Sequence, residues 1–478
     1  MHTHREDSLA MKTLALAASV FLLSFAMGAA PRELGDQYQR QWPQWRGPLA
    51  NGVAPLADPP VTWDEKTHIK WKVQIPGDST ATPIVWGNKV FLVSAIKTDR
   101  MGEAEPETRG EPAEEATHPK GARPRGFAKP RPTHFYQFVV QCVDRQTGQK
   151  QWQHLATEAV PHEGHHPDGS FAPASPATDG KRLYVSFGSR GVYCYDFEGR
   201  QQWSRDLGRM TIFNTFGEGC SPVVHGDSVI MNWDHQNGSF IACLDAASGE
   251  TRWKVDRDEN STWATPLILD YNGRTQVIVH GSKRVRSYDL QTGELLWACG
   301  GQGPSAIPSP VSDGRLVYLM TGFITNTLMA IPLDSQGDIT ETKEKLAWKR
   351  NTGTPYVPSP LLYGNWLYFT AGNKGILSCL NAQTGEPVID KQRLQGVENI
   401  YASPVAAADR VYITGRDGTT LVIKHAQFDV AKDSAPGKAQ AIILATNRLD
   451  DRFDASPALV DGELFLRGRE NLYCISQQ

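Results

Sequence analysis

From residue 82 onward the apolar positions fall in short bursts, and the bursts repeat. A Ser-Pro or Thr-Pro pair occurs at Thr82-Pro83, Ser175-Pro176, Ser221-Pro222, Thr265-Pro266, Ser309-Pro310, Ser359-Pro360, Ser403-Pro404 and Ser456-Pro457. After the first interval the spacing is 44 to 53 residues. Each pair is followed by a short apolar stretch, a turn with Gly or Asp, and an alternating strand such as Leu183–Phe187, Leu316–Met320, Leu367–Phe369 or Val411–Ile413. A third strand then ends at Asp or Asn, as in Cys142-Val-Asp144, Cys194-Tyr-Asp196, Cys243-Leu-Asp245 and Cys379-Leu-Asn381. Several units close with a Thr-Gly or Ser-Gly turn and a Trp four residues after the Gly: Gly148/Trp152, Gly249/Trp253 and Gly293/Trp297. Gly199/Trp203 keeps the spacing without the Thr. Period-2 runs bounded by turn residues are strands, and four per unit repeated eight times predict an all-β, eight-bladed β-propeller with four-stranded antiparallel blades. Seven blades is the alternative count.

The ends of the pattern predict how the ring closes. The eighth unit stops at its third strand, Leu472–Ile475, and the missing fourth strand is available as Ile69–Val73, which carries Trp71. Pairing the two would leave no open sheet edge. Ile389 and Leu444 stand near the Trp positions of blades six and seven, and a long charged connection, Asp334–Lys345, interrupts blade five. Residues 97–134 fall outside the repeat. Their first half is acidic and their second half basic and proline-rich, a composition that buries no core, so a flexible insertion is expected.

Composition adds the compartment. Lys12 precedes an apolar run from Leu14 to Phe25 and then the small residues Ala26, Gly28, Ala29 and Ala30, the layout of a secretory signal peptide. The expected organisation is a signal peptide at 1–30, an N-terminal extension at 31–68 and a single propeller at 69–478. No Cys lies near the cleavage region, which argues against a lipid anchor, and no later apolar stretch is long enough to span a bilayer. The protein is therefore expected to be periplasmic or secreted. A net charge of -3 over 478 residues excludes a typical nucleic-acid protein. Cys142, Cys194, Cys243, Cys379 and Cys474 occupy one equivalent site per blade, too far apart to be bridged, and read as small buried hydrophobes.

The Asp/Asn-x-x-Thr-Gly-x-x-x-Trp ring resembles the tryptophan-docked repeats of the PQQ-repeat, quinoprotein alcohol dehydrogenase-like propellers, and is similar to BamB-like propellers. Trp42-Pro-Gln-Trp-Arg-Gly-Pro48 with Asn51-Gly-Val53, and His165-His166 followed by Ser175-Pro-Ala-Thr-Asp-Gly180, resemble members of this group common in planctomycete-type bacteria. One branch of the resemblance implies a PQQ-dependent dehydrogenase with calcium. The other implies a non-catalytic binding or scaffold protein of the envelope. The adjacent Cys-Cys pair of the dehydrogenases is missing, and so is the lipid-modified Cys of BamB.

Propeller topology sends the second-to-third and fourth-to-first connections to one face. The former carry Arg190, His235, Lys283, Arg284, Lys374, Arg416 and Arg469. The latter carry Asn214, Glu218, Trp263, Tyr356, Tyr401, Arg452 and Asp454. A basic mouth for an anionic ligand or an acidic partner is one reading; solvated turn charge is the other. His162, Glu163, His165, His166 and Asp168 crowd into seven residues, which makes His162, His165 and His166 candidate metal ligands. Their spacing fits no standard zinc signature, and a loop role is the competing reading. No Gly-x-Ser-x-Gly elbow, P-loop or dinucleotide fingerprint occurs. The sequence assigns no catalytic residue. It favours a monomeric, cofactor-free binding protein for another envelope protein or an extracellular polymer. A PQQ dehydrogenase and a polymer-processing enzyme using the same face are the alternatives.

Overall fold

The structure, a computed structural model, describes residues 35–103, 131–430, 435 and 437–477. Eight antiparallel sheets follow one another along the chain. Blades one to seven span 84–159, 177–205, 223–256, 267–300, 311–350, 361–393 and 405–448. Blade eight takes its first three strands from 458–476 and its fourth from Ile69–Gln74. That strand runs antiparallel to Asn471–Ser476, with Trp71 opposite Cys474, so the ring closes as expected. The only α-helix among the described residues is Asp36–Gln39. None of their helices is long and apolar enough to cross a membrane.

Position within the blade dictates the pattern. Second and third strands have neighbours on both faces and are buried almost throughout, as in Ser228–Trp233 and Phe240–Asp245. Fourth strands lie at the rim and bury mainly their tryptophans, as in Gln201–Arg205. Five of these indoles dock on the closing turn of the next blade, while Trp297 donates instead to Gln276 Oε1 of its own blade at 3.3 Å. Trp71 Nε1 donates to the Arg145 carbonyl at 2.9 Å, Trp152 to Phe197 at 3.0 Å, Trp203 to Ala246 at 3.1 Å, Trp253 to Leu290 at 2.8 Å and Trp348 to Ala382 at 2.8 Å. The turn glycine lies under the ring. A Cβ at Gly249 (φ +71°) would stand 2.6 Å from Trp203, so only glycine meets both the backbone and the packing demand. The repeat cysteines face these indoles across the strand pair, Cys142 opposite Trp152, Cys194 opposite Trp203 and Cys243 opposite Trp253. All seven cysteines are free.

Blades six and seven lack the Trp. Ile389 does hold the Trp position of blade six, opposite Cys379 and fully buried. In blade seven the equivalent residue is Ala445, opposite Val422, whereas Leu444 is 37% exposed. The bulge between Val422 and Ile423 has counterparts in blades one to four; what blade seven lacks is the Thr-Gly turn from which the Trp position is counted. The charged connection of blade five is put to use: Gly337–Asp338 adds a short parallel strand to the outer edge of blade four.

In blade one Lys97 pairs with Tyr136 and Met101 with His134. Residues 97–101 and His134 therefore belong to strands, and the departure from the blade starts later than the sequence pattern indicated. Residues 104–130 of that insertion, and the expected signal segment 1–30, lie outside the described residues.

The described part of the N-terminal extension crosses the face opposite the connections discussed below. Trp42 pairs with Val85 of blade one and Val53 with Ala406 of blade seven. Between them Arg46, 1% exposed, donates to the carbonyls of Pro360 and Pro404, each at 2.8 Å.

Candidate functional site

The Ser/Thr-Pro pairs meet around the axis. From Thr82 to Ser403, the main-chain N–H of each Ser or Thr donates to the hydroxyl of its counterpart in the next blade. Thr82 donates to Ser175 at 3.0 Å, Ser175 to Ser221 at 2.9 Å, Ser221 to Thr265 at 3.2 Å, Thr265 to Ser309 at 3.2 Å, and Ser309 to Ser359, Ser359 to Ser403 and Ser403 to Ser456 at 2.9 Å each. Thr82 Oγ1, at the seam of the ring, is buried without a partner. Trp45 of the extension donates its indole N–H to Ser309 Oγ at 3.0 Å, and together with the circuit it lines a cavity of about 270 Å³.

The cavity wall comes from the fourth-to-first connections, which bring in Phe216, Glu218, Trp263, Tyr356, Tyr401 and Asp454, and from the connection between blades one and two, which brings in His166 and Asp168. No lysine or arginine of the described residues lines it. Trp263 is fixed by its indole N–H on the Gly217 carbonyl at 2.6 Å and its main-chain N–H on Ala306 at 2.8 Å. Tyr356 lies flat on Phe323, with ring centroids 5.1 Å apart and planes at 22°.

Behind this wall the expected cations meet carboxylates. Asp168 Oδ1 accepts from Arg416 at 2.9 Å and Arg452 at 3.0 Å, and its other oxygen accepts the Tyr401 hydroxyl at 3.0 Å. Asp454, its side chain 4% exposed, faces Arg416 at 2.5 Å and Arg469 at 2.9 Å. Arg469 also reaches Asp78 at 2.5 Å. Burial pushes the Asp168 carboxyl up, but Arg416 and the Tyr401 hydroxyl outweigh it and hold the group below its ordinary value. For Asp454 burial wins and the group is raised.

Glu218 is a different case. It accepts the main-chain N–H of Ser189 at 2.8 Å and the Ser189 hydroxyl on its other oxygen. Burial, with a contribution from Glu163, pushes it up to about 7. Glu163 is raised by its own burial and accepts the Ile212 N–H at 3.0 Å.

The sequence-predicted residues thus separate into groups. Trp263 and Tyr356 line the cavity. Arg416 and Arg469 stand behind it in ion pairs. Arg190 donates to the Val160 carbonyl at 2.7 Å and braces the start of the connection between blades one and two. His235 is buried, accepts the Thr211 N–H at 3.3 Å and is lowered by burial. Lys283 and Arg284 donate their main-chain N–H groups to Glu259, and the Arg284 guanidinium pairs with Asp338. Lys374 is exposed. These cations do not converge into the basic mouth expected from their shared topology, because carboxylates from other blades reach Arg284, Arg416 and Arg469.

The three candidate metal ligands diverge as well. His162 Nε2 is 2.8 Å from the Met210 carbonyl, the His165 ring packs edge-on against Phe171, and His166 packs against Phe216. Among the described residues no three His, Cys, Asp or Glu gather so as to hold a metal. The segment is instead a strap pinned by Asp168. Sequence reasoning missed Trp45, Phe216 and the hydroxyl circuit. The constant Ser/Thr before Pro was the available signal for the circuit.

Comparison with known proteins agrees with this architecture. Residues 137–391, more than half of the chain, match the family described as outer membrane protein assembly factor BamB. Over 145 residues the chain is 29% identical to methanol dehydrogenase [cytochrome c] subunit 1 of Methylorubrum extorquens. That stretch is 28% of this chain and only 21% of the dehydrogenase subunit. Among solved structures, quinohemoprotein alcohol dehydrogenase from Comamonas testosteroni is similar with a TM-score of 0.57 at 10% identity, covering 92% of this chain and 81% of that one. A europium-containing methanol dehydrogenase is similar with a TM-score of 0.56 at 10% identity, covering 92% and 99%. At that identity the likeness is one of fold.

Proposed function

The chain belongs to the family of the outer membrane protein assembly factor BamB, and from that membership we propose that it is a non-catalytic binding propeller of the cell envelope. It works as a monomer and takes a group of its ligand or partner into the axial cavity. The observation that carries this reading is the state of the charges at the mouth. Arg416, Arg452 and Arg469 are held by Asp168, Asp454 and Asp78, while the wall offers aromatic faces and hydroxyls. Recognition of a docked group needs such faces and hydrogen bonds. Catalysis needs a converging acid, base or nucleophile, and Glu218 is occupied by Ser189.

The alternative is a quinoprotein dehydrogenase. PQQ is a tricarboxylate and calls for cations at the wall, together with several oxygen ligands for its calcium. The wall instead carries Asp168, Glu218 and Asp454 and, among the described residues, neither a lysine nor an arginine. No group of three metal-ligating side chains gathers among them. These residues do not fit PQQ with calcium.

The test is calorimetric titration of PQQ, with and without calcium, into the mature protein, followed by a dye-linked alcohol oxidation assay. We expect no heat of binding and no turnover. Calcium-dependent binding with turnover would overturn the proposal.

A further inference from the structure

The axial cavity combines three features that together specify a ligand class. The first is a pair of aromatic faces held from behind. Trp263 is fixed through Gly217 and Ala306 and Tyr356 is stacked on Phe323. Both rings are only half-buried, so each presents a flat apolar surface with little rotamer freedom left to lose on binding.

The second is the hydroxyl circuit. Seven ring hydroxyls, from Ser175 round to Ser456, each accept a main-chain N–H. A hydroxyl that accepts still has its own proton to donate, and no described residue takes these protons. All seven line the cavity. Ser309 accepts twice, from Thr265 and from Trp45, so donation is its remaining capacity. The floor is therefore a crown of O–H donors.

The third is charge. The wall's aspartates are compensated by three arginines standing behind them, and Glu218 shares hydrogen bonds with Ser189. An anion meets carboxylates with no wall lysine or arginine, and a cation meets carboxylates already paired. Neither sign of charge gains. A ligand with apolar C–H faces, many hydroxyls and no charge satisfies all three features at once.

Resting on the reading of the mouth as a binding site without chemistry, we propose that the axial cavity binds the end of a neutral saccharide chain. A sugar ring packs on Trp263 or Tyr356, and its hydroxyls meet the seryl crown and the wall carboxylates. A cavity of about 270 Å³ lies at the small end of ligand sites, which suits a chain terminus rather than a long stretch.

Cellopentaose, chitopentaose and maltopentaose would be titrated calorimetrically into the mature protein, with pentagalacturonate as the charged counterpart. At least one neutral pentasaccharide should bind, at least tenfold more tightly than the uronate. Trp263→Ala should weaken that binding at least tenfold. Tyr356→Leu, which keeps an apolar side chain of moderate size, serves as the second variant and should weaken it too. Absence of binding by all three neutral sugars, equal binding of the uronate, or binding unchanged in both variants would overturn the inference. If the sugars fail while the PQQ titration is also silent, the binding-propeller reading stands without this ligand. If calcium-dependent PQQ binding appears, both readings fall.

Discussion

Asp168 Oδ1 lies 2.9 Å from Nη2 of Arg416, across 248 positions of sequence. The pair draws the connection between blades one and two over to blade seven. Arg452 on the same oxygen and the Tyr401 hydroxyl on the other make the carboxylate a shared anchor for three elements remote in the chain. The rim of the cavity is thereby tied together by charge rather than by a disulfide.

Replacing Asp168 with Asn should release this strap. The arginines would lose their counter-charge while remaining near the wall, and a hydrogen-bonded charge pair that is partly screened is worth about 1–3 kcal/mol. Because the folded carboxyl is held below its ordinary value, its stabilisation is present in full above the unfolded value of about 4 and is lost as pH falls through the folded one. Melting curves should therefore separate the parent from Asp168→Asn at neutral pH and bring them together toward pH 2. A constant gap over that range would contradict the assignment.

The ring was legible because most blades solve the same problem with the same residues. An indole needs a flat turn to sit on, which keeps Gly249 and Trp203 at fixed positions in their units. The slip at Leu444 came from the absence of a Thr-Gly turn in blade seven, which leaves no fixed residue from which to count to the fourth strand. The mouth was half legible. Topology brought Arg416, Arg469, Trp263 and Tyr356 to one face, but their neutralising partners come from other blades. Asp168, read locally, looked like part of a metal cluster because its true neighbours are not neighbours in sequence.

The hydroxyl circuit predicts unequal costs at equivalent positions. Ser309→Ala removes the acceptor of both the Thr265 N–H and the Trp45 indole, and buried donors left unpaired cost about 1–3 kcal/mol. Thr82→Val removes a buried hydroxyl that has no partner and should change stability by less than about 1 kcal/mol. Urea unfolding of the two variants would test this, and equal losses would count against the circuit.

The docked indoles predict a similar contrast between two glycines of blade three. Gly249 and Gly226 both have positive φ, but a Cβ at Gly226 meets nothing within 4 Å while one at Gly249 runs into Trp203. Gly226→Ala should cost only the left-handed backbone penalty, about 1–2 kcal/mol. Gly249→Ala should cost more and should also shift the Trp fluorescence, since the ring of Trp203 must move. Equal destabilisation with unchanged emission would argue against docking as the link between blades.

Glu218 gives the last prediction, a pH dependence of opposite sign to that of Asp168. Its folded value of about 7 stands above the ordinary Glu value of 4.5, so the folded state holds this proton more tightly than the unfolded chain does. The group therefore costs nothing below about pH 4.5, and the penalty grows as pH rises to about 7 and stays constant above. Glu218→Gln keeps an oxygen to accept from Ser189 but cannot ionise. It should melt close to the parent at pH 4 and distinctly higher at pH 8, where the parent must carry a buried carboxylate. The pair of melting temperatures at these two pH values is the measurement. A variant no more stable than the parent at pH 8 would mean that solvent reaches Glu218 and that the wall beside Ser189 is wet, which would also weaken the case for a charge-neutral cavity.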